Sequence, residues 1–272
     1  LTTRLAVLGS PIAHSKSPLL HSAAYRALGL DWSYEAIEVT GESLRAFVEG
    51  LDESWRGLSL TMPLKRDVIP LLSEADETAA LTGVANTLVL DGRRGFNTDV
   101  FGITEAFRSN GVAALSRVAI LGGGATAASA LVAAHRLGAG AADLLLRNPA
   151  KGAELRALAS TLGVALEVHQ LGANLPVVPD AVISTLPGHA EYSTALPAAL
   201  RESAVLFDVA YDPWPSTLAA AWQEVGGRVI SGIEMLTLQA LAQVRIFTSG
   251  DPAAPLPAED AVLDAMRRAV AP

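Results

Sequence analysis

A glycine cluster set between an apolar run and an alanine-rich stretch limits the fold of this chain more than any other feature. Arg117 to Leu121 reads as a compact strand, and Gly122-Gly123-Gly124-Ala125-Thr126-Ala127 follows it directly. An Ala-rich helix is predicted from there to about Leu137. Gly122, Gly124 and Ala127 fit G-x-G-x-x-A. The first glycine permits a tight turn, and the second lets backbone approach a pyrophosphate. The small third residue allows close helix–sheet packing, and the helix N-terminus faces the phosphates. Such a fingerprint is weak in isolation, and the flanking strand and helix give it meaning.

The surrounding pattern extends the argument. Ala142 to Leu146, Ala165 to His169, Ala181 to Ser184, Ala204 to Val209 and Arg228 to Ile230 are further apolar runs, with a helix expected from Lys151 to Leu162. Six runs alternating with helices are the pattern of a doubly wound, Rossmann-type dinucleotide domain. An NAD enzyme commonly carries Asp or Glu at the end of the second strand, on the ribose hydroxyls. Here that strand ends in Arg147-Asn148, with Lys151 beyond. Two cations and no carboxylate suit a 2′-phosphate, so NADP(H) is expected rather than NAD. Gly122, Gly123, Gly124, Ala125, Thr126, Arg147, Asn148 and Lys151 are the cofactor candidates. Ser184 and Thr185, which close another strand, and Gly232 are counted with them.

The first hundred residues alternate differently. Strands are expected at Leu5 to Leu8, Trp32 to Val39 and Gly57 to Leu60, and helices at Leu19 to Leu28, Leu44 to Leu51, Asp67 to Leu72 and Asp76 to Leu81. Asn86 to Leu90 and Arg94 to Phe96 read as a hairpin closed by an Asp91-Gly92 turn. The whole is therefore α/β with two domains. Residues 1–101 form an N-terminal α/β substrate domain, and 102–233 the doubly wound NADP-binding domain. Helices over about 234–272 return to the first domain, and a helix near Thr98 to Leu115 links the two.

Composition narrows the function classes. Half of the 272 residues are hydrophobic and 18% are charged, which excludes general disorder. No stretch reaches the roughly 20 uninterrupted apolar residues of a spanning helix, and Leu1 to Gly9 reads as a strand rather than a signal peptide. A chain opening on Leu1 without Met reads as trimmed. A net charge of −8 argues against a nucleic-acid partner. The absence of cysteine excludes disulfides and thiolate metal sites and fits a cytoplasmic enzyme. His21, His135, His169 and His189 have no metal-ligand spacing, and no metal is expected. A small-molecule substrate is the expected partner, with neither membrane nor nucleic acid, for a monomer or homodimer.

Polar residues gather where strands of the first domain are expected to end. His14, Ser15 and Ser17 follow the first strand, Thr61 and Lys65 the third, and Asn86 and Asn97-Thr98-Asp99 flank the hairpin. Ligands of open α/β sheets bind at such ends. Hydroxyls, amides, one Lys and one Asp suit a substrate with several hydroxyl groups. Ser15 and Ser17 also read as an N-cap pair for the helix near Leu19, with Pro18 at its first position. His14 reads as structural. Gln239 breaks the apolar run of Met235, Leu236 and Leu238, which points to a role.

Taken in order, Pro11-Ile12-Ala13-His14-Ser15-Lys16-Ser17-Pro18, Thr61-Met62-Pro63-Leu64-Lys65, Gly83 to Leu88, Asn97-Thr98-Asp99-Val100-Phe101-Gly102 and Gly232-Ile233-Glu234-Met235-Leu236-Thr237-Leu238-Gln239 resemble the shikimate dehydrogenase family over essentially the whole chain. The resemblance implies an NADP-dependent oxidoreductase acting on CH–OH. Its reaction would be the reversible reduction of 3-dehydroshikimate to shikimate in aromatic amino-acid biosynthesis. It also implies that Ser15 and Ser17, helped by Tyr211, bind the substrate carboxylate. Thr61, Asn86, Asp99 and Gln239 would hold its hydroxyls, and Lys65 and Asp99 would be the catalytic pair. The family usually has Asn where Ser59 stands, and its glycine turn is often Gly-Ala-Gly-Gly-Ala.

The chemistry supports that pairing on its own terms. Hydride delivery to a ketone carbon leaves negative charge developing on oxygen. A Lys ammonium beside that oxygen stabilises the charge and supplies a proton, and an adjacent carboxylate orients the ammonium and a substrate hydroxyl together. Two other readings compete: a quinate/shikimate dehydrogenase using NAD, and a ligand-binding paralogue without turnover.

Overall fold

A computed structural model describes residues 2–187 and 196–271. The chain forms two compact units, Leu1–Gly102 with Leu236–Pro272, and Ile103–Met235. The first opens with β1 (Thr3–Gly9), α1 (Ser17–Ala27), β2 (Trp32–Glu38), α2 (Gly41–Glu49) and β3 (Trp55–Leu60). Here β1 pairs in parallel with both β2 and β3, as helical crossovers require. Then come α3 (Leu64–Asp67), a 3-10 turn (Ile69–Leu71), β4 (Glu74–Ala75), α4 (Glu77–Thr82), β5 (Thr87–Val89), β6 (Arg94–Phe96) and α5 (Asp99–Ser109). The sheet order is β2-β1-β3-β5-β6-β4.

Three expectations for this unit need correction. The helix expected from Asp67 to Leu72 is α3 followed by the 3-10 turn, because Pro70 has no N–H to continue an α-helical ladder. The hairpin exists, but its connection is a 3-10 turn over Asp91–Arg93, with Gly92 at φ 70° and Arg93 at φ 47°. It is longer than the two-residue Asp-Gly turn. Finally, β5 runs antiparallel to β3. Asn86 therefore precedes a strand instead of ending one, and the reversal brings it to the C-terminal end of β3, where Leu60 N–H donates to its carbonyl at 2.8 Å.

One face of this sheet packs Leu8, Leu58, Leu60 and Leu88 against Leu44, Val48 and Leu64. Leu64 is fully buried, a setting in which truncation to Ala costs about 2–5 kcal/mol. That burial holds α3 down, and with it the neighbouring Lys65.

The second unit contains β7 (Arg117–Leu121), α6 (Ala125–Arg136), β8 (Ala141–Leu146), a 3-10 turn (Pro149–Gly152), α7 (Ala153–Leu162), β9 (Ala165–Gln170), β10 (Ala181–Ser184), α8 (Ala198–Ser203), β11 (Val205–Asp208), α9 (Thr217–Glu224) and β12 (Val229–Ser231). Next, α10 (Gly232–Ser249) carries the chain back into the first unit, which also holds α11 (Glu259–Val270). Every pairing is parallel, in the order β12-β11-β10-β7-β8-β9. That is the doubly wound order, with its switch between β7 and β10. Val118 to Leu121 are all essentially buried, the mark of a strand covered on both faces. The sequence reading missed α8 and α9. Of these, α9 does carry a cap signal: Ser216 accepts a hydrogen bond from Ala219 N–H at 3.0 Å. No helix among the described residues is long and apolar enough to cross a membrane.

Candidate active site

In the first unit, two helix starts bring a charged pair together. Asp99 is the first residue of α5, where an acidic side chain meets the positive end of the helix dipole. Its own N–H donates to Asn97 Oδ1 at 3.1 Å. Lys65 lies in α3, and its carbonyl accepts from Ala85 N–H at 2.9 Å, which ties α3 to the segment carrying Asn86. Lys65 Nζ donates to Asp99 Oδ2 at 2.6 Å, with the two side chains only 13% and 3% exposed. A buried pair of this kind persists where its remaining hydrogen-bonding capacity is satisfied. Asn86 does that for Asp99, donating from Nδ2 to Oδ1 at 2.9 Å.

Asn86 joins further groups to the pair. Its Nδ2 also lies 2.8 Å from Thr98 Oγ1 and 3.1 Å from Gln239 Oε1, so three acceptors compete for two protons. Gln239 donates to Leu236 O at 2.8 Å. Lys65, Asp99, Asn86 and Gln239 thus form one cluster in the first unit.

Ser15, Ser17 and Thr61 are not hydrogen-bonded into it. Ser15 Oγ accepts from Ser17 N–H at 3.3 Å, and Lys16, rather than either serine, is the N-cap of α1. Thr61 donates its N–H to Leu8 O at 2.9 Å, beside the end of β1. His14 is exposed on the loop between β1 and α1. Asn97 and Thr98, which the sequence marks only as polar neighbours of Asp99, position Asp99 and Asn86. The run around Gln239 is also broken at Gln243, which is just as buried. Two glutamines four apart in an apolar helix share a face, and that spacing was the overlooked signal.

The second unit carries the other candidates at the C-terminal ends of its strands. Gly122 has φ +101°, and a Cβ there would lie 2.6 Å from Thr185 Oγ1. Thr185 itself bonds Leu121 O through both N–H and Oγ1. The turn therefore sits at the switch between β7 and β10. Among the described residues a Cβ on Gly124 would meet nothing within 4 Å, which leaves room for a ligand at the start of α6. Ala127 is fully buried, as close packing of α6 requires. Ala125 and Thr126 are half-buried in the first turn of α6. This backbone cradle fits a dinucleotide pyrophosphate.

Gly123 packs on Leu146, and Arg147, Asn148 and Lys151 follow that residue as exposed side chains. Asn148 Oδ1 accepts from Ala150 N–H at 3.1 Å, which opens the 3-10 turn. Ser184 is buried beside Asp208, whose carboxyl burial pushes above its ordinary range. A Cβ on Gly232 would overlap the Val209 carbonyl, so only glycine fits there. Tyr211 is half-buried in this unit, its phenol pushed up by desolvation and then by Asp212.

His169 has partners that the histidine spacing did not reveal. Asp143, Glu167 and His169 place one ligand atom each within 4.8 Å of one another. Arg117 already grips Asp143 in a two-pronged contact at 2.7 and 2.8 Å, which makes the group an ion-pair cluster. His189 lies outside the described residues.

The chain is similar to known proteins over nearly its whole length. A family model described as the shikimate dehydrogenase substrate binding domain matches residues 7–88. A shikimate dehydrogenase (NADP(+)) of Methanothermobacter thermautotrophicus is 34% identical, over 96% of this chain and 95% of the relative. One from Methanothrix thermoacetophila is 38% identical, over 90% and 91%. The crystal structure of Mycobacterium tuberculosis shikimate dehydrogenase superposes with TM-score 0.84 and 40% identity, covering 98% of this chain and 99% of that one. The Thermus thermophilus enzyme in complex with NADP(H) and shikimate does so with TM-score 0.81 and 29% identity, covering 99% and 100%. At this identity and coverage, the chain belongs to the shikimate dehydrogenase family.

Proposed function

We propose that this chain is an NADP-dependent oxidoreductase that interconverts 3-dehydroshikimate and shikimate in the cytoplasm. The Lys65–Asp99 pair carries the reading, because it is buried and short, with Asn86 bonded to the second oxygen of Asp99. In the reductive direction, Lys65 stabilises negative charge on the substrate oxygen and gives it a proton; in the oxidative direction it takes that proton back. Asp99 orients the ammonium through Oδ2 and, with Asn86, Gln239 and Thr61, receives substrate hydroxyls. Ser15 and Ser17, at the start of α1, hold the carboxylate, and Tyr211 would be a further contact for it. When bound, NADP(H) supplies or accepts the hydride.

Residues 122–126 would hold the pyrophosphate, with Ser184, Thr185 and Gly232 beside the cofactor. Arg147, Asn148 and Lys151 would hold the 2′-phosphate. The test is the change in nicotinamide absorbance with shikimate and with quinate, each with NADP and with NAD. Shikimate with NADP is expected to be the fastest pair. Faster turnover of quinate, or of NAD, would overturn that assignment, and no change with any pair would end the enzyme reading.

A further inference from the structure

We propose that Gln243 is a positioning residue for this reaction, holding Asn86, and through it Asp99, from behind. The inference rests on the reading above and on a buried chain of hydrogen bonds whose direction can be worked out atom by atom. Gln243 is 1% exposed on α10, one turn beyond Gln239. Its side chain reaches Asn86 O at 3.0 Å, Thr87 Oγ1 at 3.0 Å, Ser59 Oγ at 2.9 Å and His21 Nε2 at 3.1 Å.

A backbone carbonyl can only accept, so the amide nitrogen of Gln243 must face Asn86 O and its oxygen must face Ser59 and His21. That oxygen needs protons, so Ser59 donates and the His21 ring carries its hydrogen on Nε2. His21 Nδ1 then accepts from Tyr25 Oη at 3.1 Å, and Ser59 accepts from Tyr34 Oη at 2.7 Å. Burial pushes His21 down to about 3, which keeps the ring in this neutral form.

On the other side, Thr87 accepts from Gln243, so its own proton points to Asn86 Oδ1 at 2.8 Å. Thr98 N–H donates to the same oxygen at 3.0 Å. With Oδ1 held by two donors, Asn86 Nδ2 must face Asp99 Oδ1. An amide flip would set donor against donor. One carbonyl thus fixes the direction of every bond from His21 to Asp99. Gln243 and Thr87 hydrogen-bond to neither Lys65 nor Asp99, so their bonds reach the pair through Asn86.

The experiment compares Gln243→Met and the nearly isosteric Thr87→Val, alone and in an Asn86→Ala background. A loosened catalytic group should lower kcat/KM for shikimate about tenfold for Gln243→Met and severalfold for Thr87→Val. KM for NADP should stay unchanged. Neither substitution should cause further loss once Asn86 is Ala. Losses that persist in that background, a parallel rise in KM for NADP, or no loss at all would each overturn the proposal. A second measurement needs no substrate: the Asn86 side-chain amide protons should exchange with solvent faster in both variants than in the ligand-free parent. Equal exchange rates would overturn the relay. A parent that turns over no shikimate would instead sink the functional reading, leaving the relay to be decided by exchange.

Discussion

Lys65, Asp99, Asn86 and Gln239 in the first unit are held by one another's side chains, with Gln243 and His21 behind them. In the second unit the glycine turn after β7 is shaped by backbone constraints: Gly122 at positive φ, with no room for a Cβ beside Thr185, and Gly124 with open space among the described residues. The side chains proposed to select the cofactor, Arg147 and Lys151, stand exposed around it. Chemistry that moves a proton needs its groups placed in advance to a fraction of an ångström. A pyrophosphate needs only N–H groups and a dipole, which any glycine turn of the right shape supplies. The two ends should therefore respond differently to substitution.

The largest effect is expected at the charged pair. Lys65→Ala should lower kcat about a thousandfold, the scale of positioned acid–base catalysis, with KM for NADP unchanged. Stopped-flow or steady-state turnover at saturating substrate measures it. Near-normal turnover would erase the distinction between the two ends.

Next in size is a pH effect confined to the side-chain network. The folded state holds His21 at about 3, below its ordinary 6.5, because burial disfavours the charged ring. Between these values the unfolded chain binds the extra proton, so stability is full above 6.5 and falls as pH drops towards 3. The slope is about 1.4 kcal/mol per pH unit, or roughly a hundredfold in the folding constant over two units. Denaturant midpoints between pH 6.5 and 4.5 should show this contribution in the parent and lack it in His21→Gln. Equal slopes would mean that the ring is not held neutral.

How much of this was legible follows from the same contrast. The strands Arg117–Leu121 and Ala181–Ser184 read correctly to the residue, because burial on both faces writes an uninterrupted apolar run. The glycine turn was legible because backbone constraints select one residue type. Short α3 and α8 offer too few turns for a period to show. The direction of β5 leaves no trace in composition, so the sequence does not show that Asn86 leads into a strand beside the end of β3. The network behind the pair was hidden because Gln243, whose spacing from Gln239 is visible in the sequence, meets Ser59, Thr87 and His21 only across 156 to 222 positions of chain.

The backbone-held end should show a smaller loss of another kind. Gly122→Ala forces a Cβ into a conformation at φ +101° and against Thr185 Oγ1. That strain is about 1–2 kcal/mol, so KM for NADP should rise roughly tenfold or somewhat more while kcat at saturation changes little. Fluorescence titration of NADPH on the variant measures it. A collapse of kcat would place the turn with the catalytic groups instead.

The smallest effect should come from the exposed cations. Arg147→Ala removes a forked donor that a 2′-phosphate can use and a 2′-hydroxyl cannot, so it should weaken NADP about tenfold and leave NAD unchanged. Lys151→Ala, losing a single point charge at an exposed position, should do less, and its effect should fade as salt is raised. Preference for one cofactor is a difference of affinities. It can therefore shift through these two residues while Lys65 and Asp99 stay in contact and turnover of the bound complex is preserved. If Arg147→Ala weakened both cofactors equally, the guanidinium would be serving the pyrophosphate, and the selection of NADP would have to be sought in the main chain of the turn.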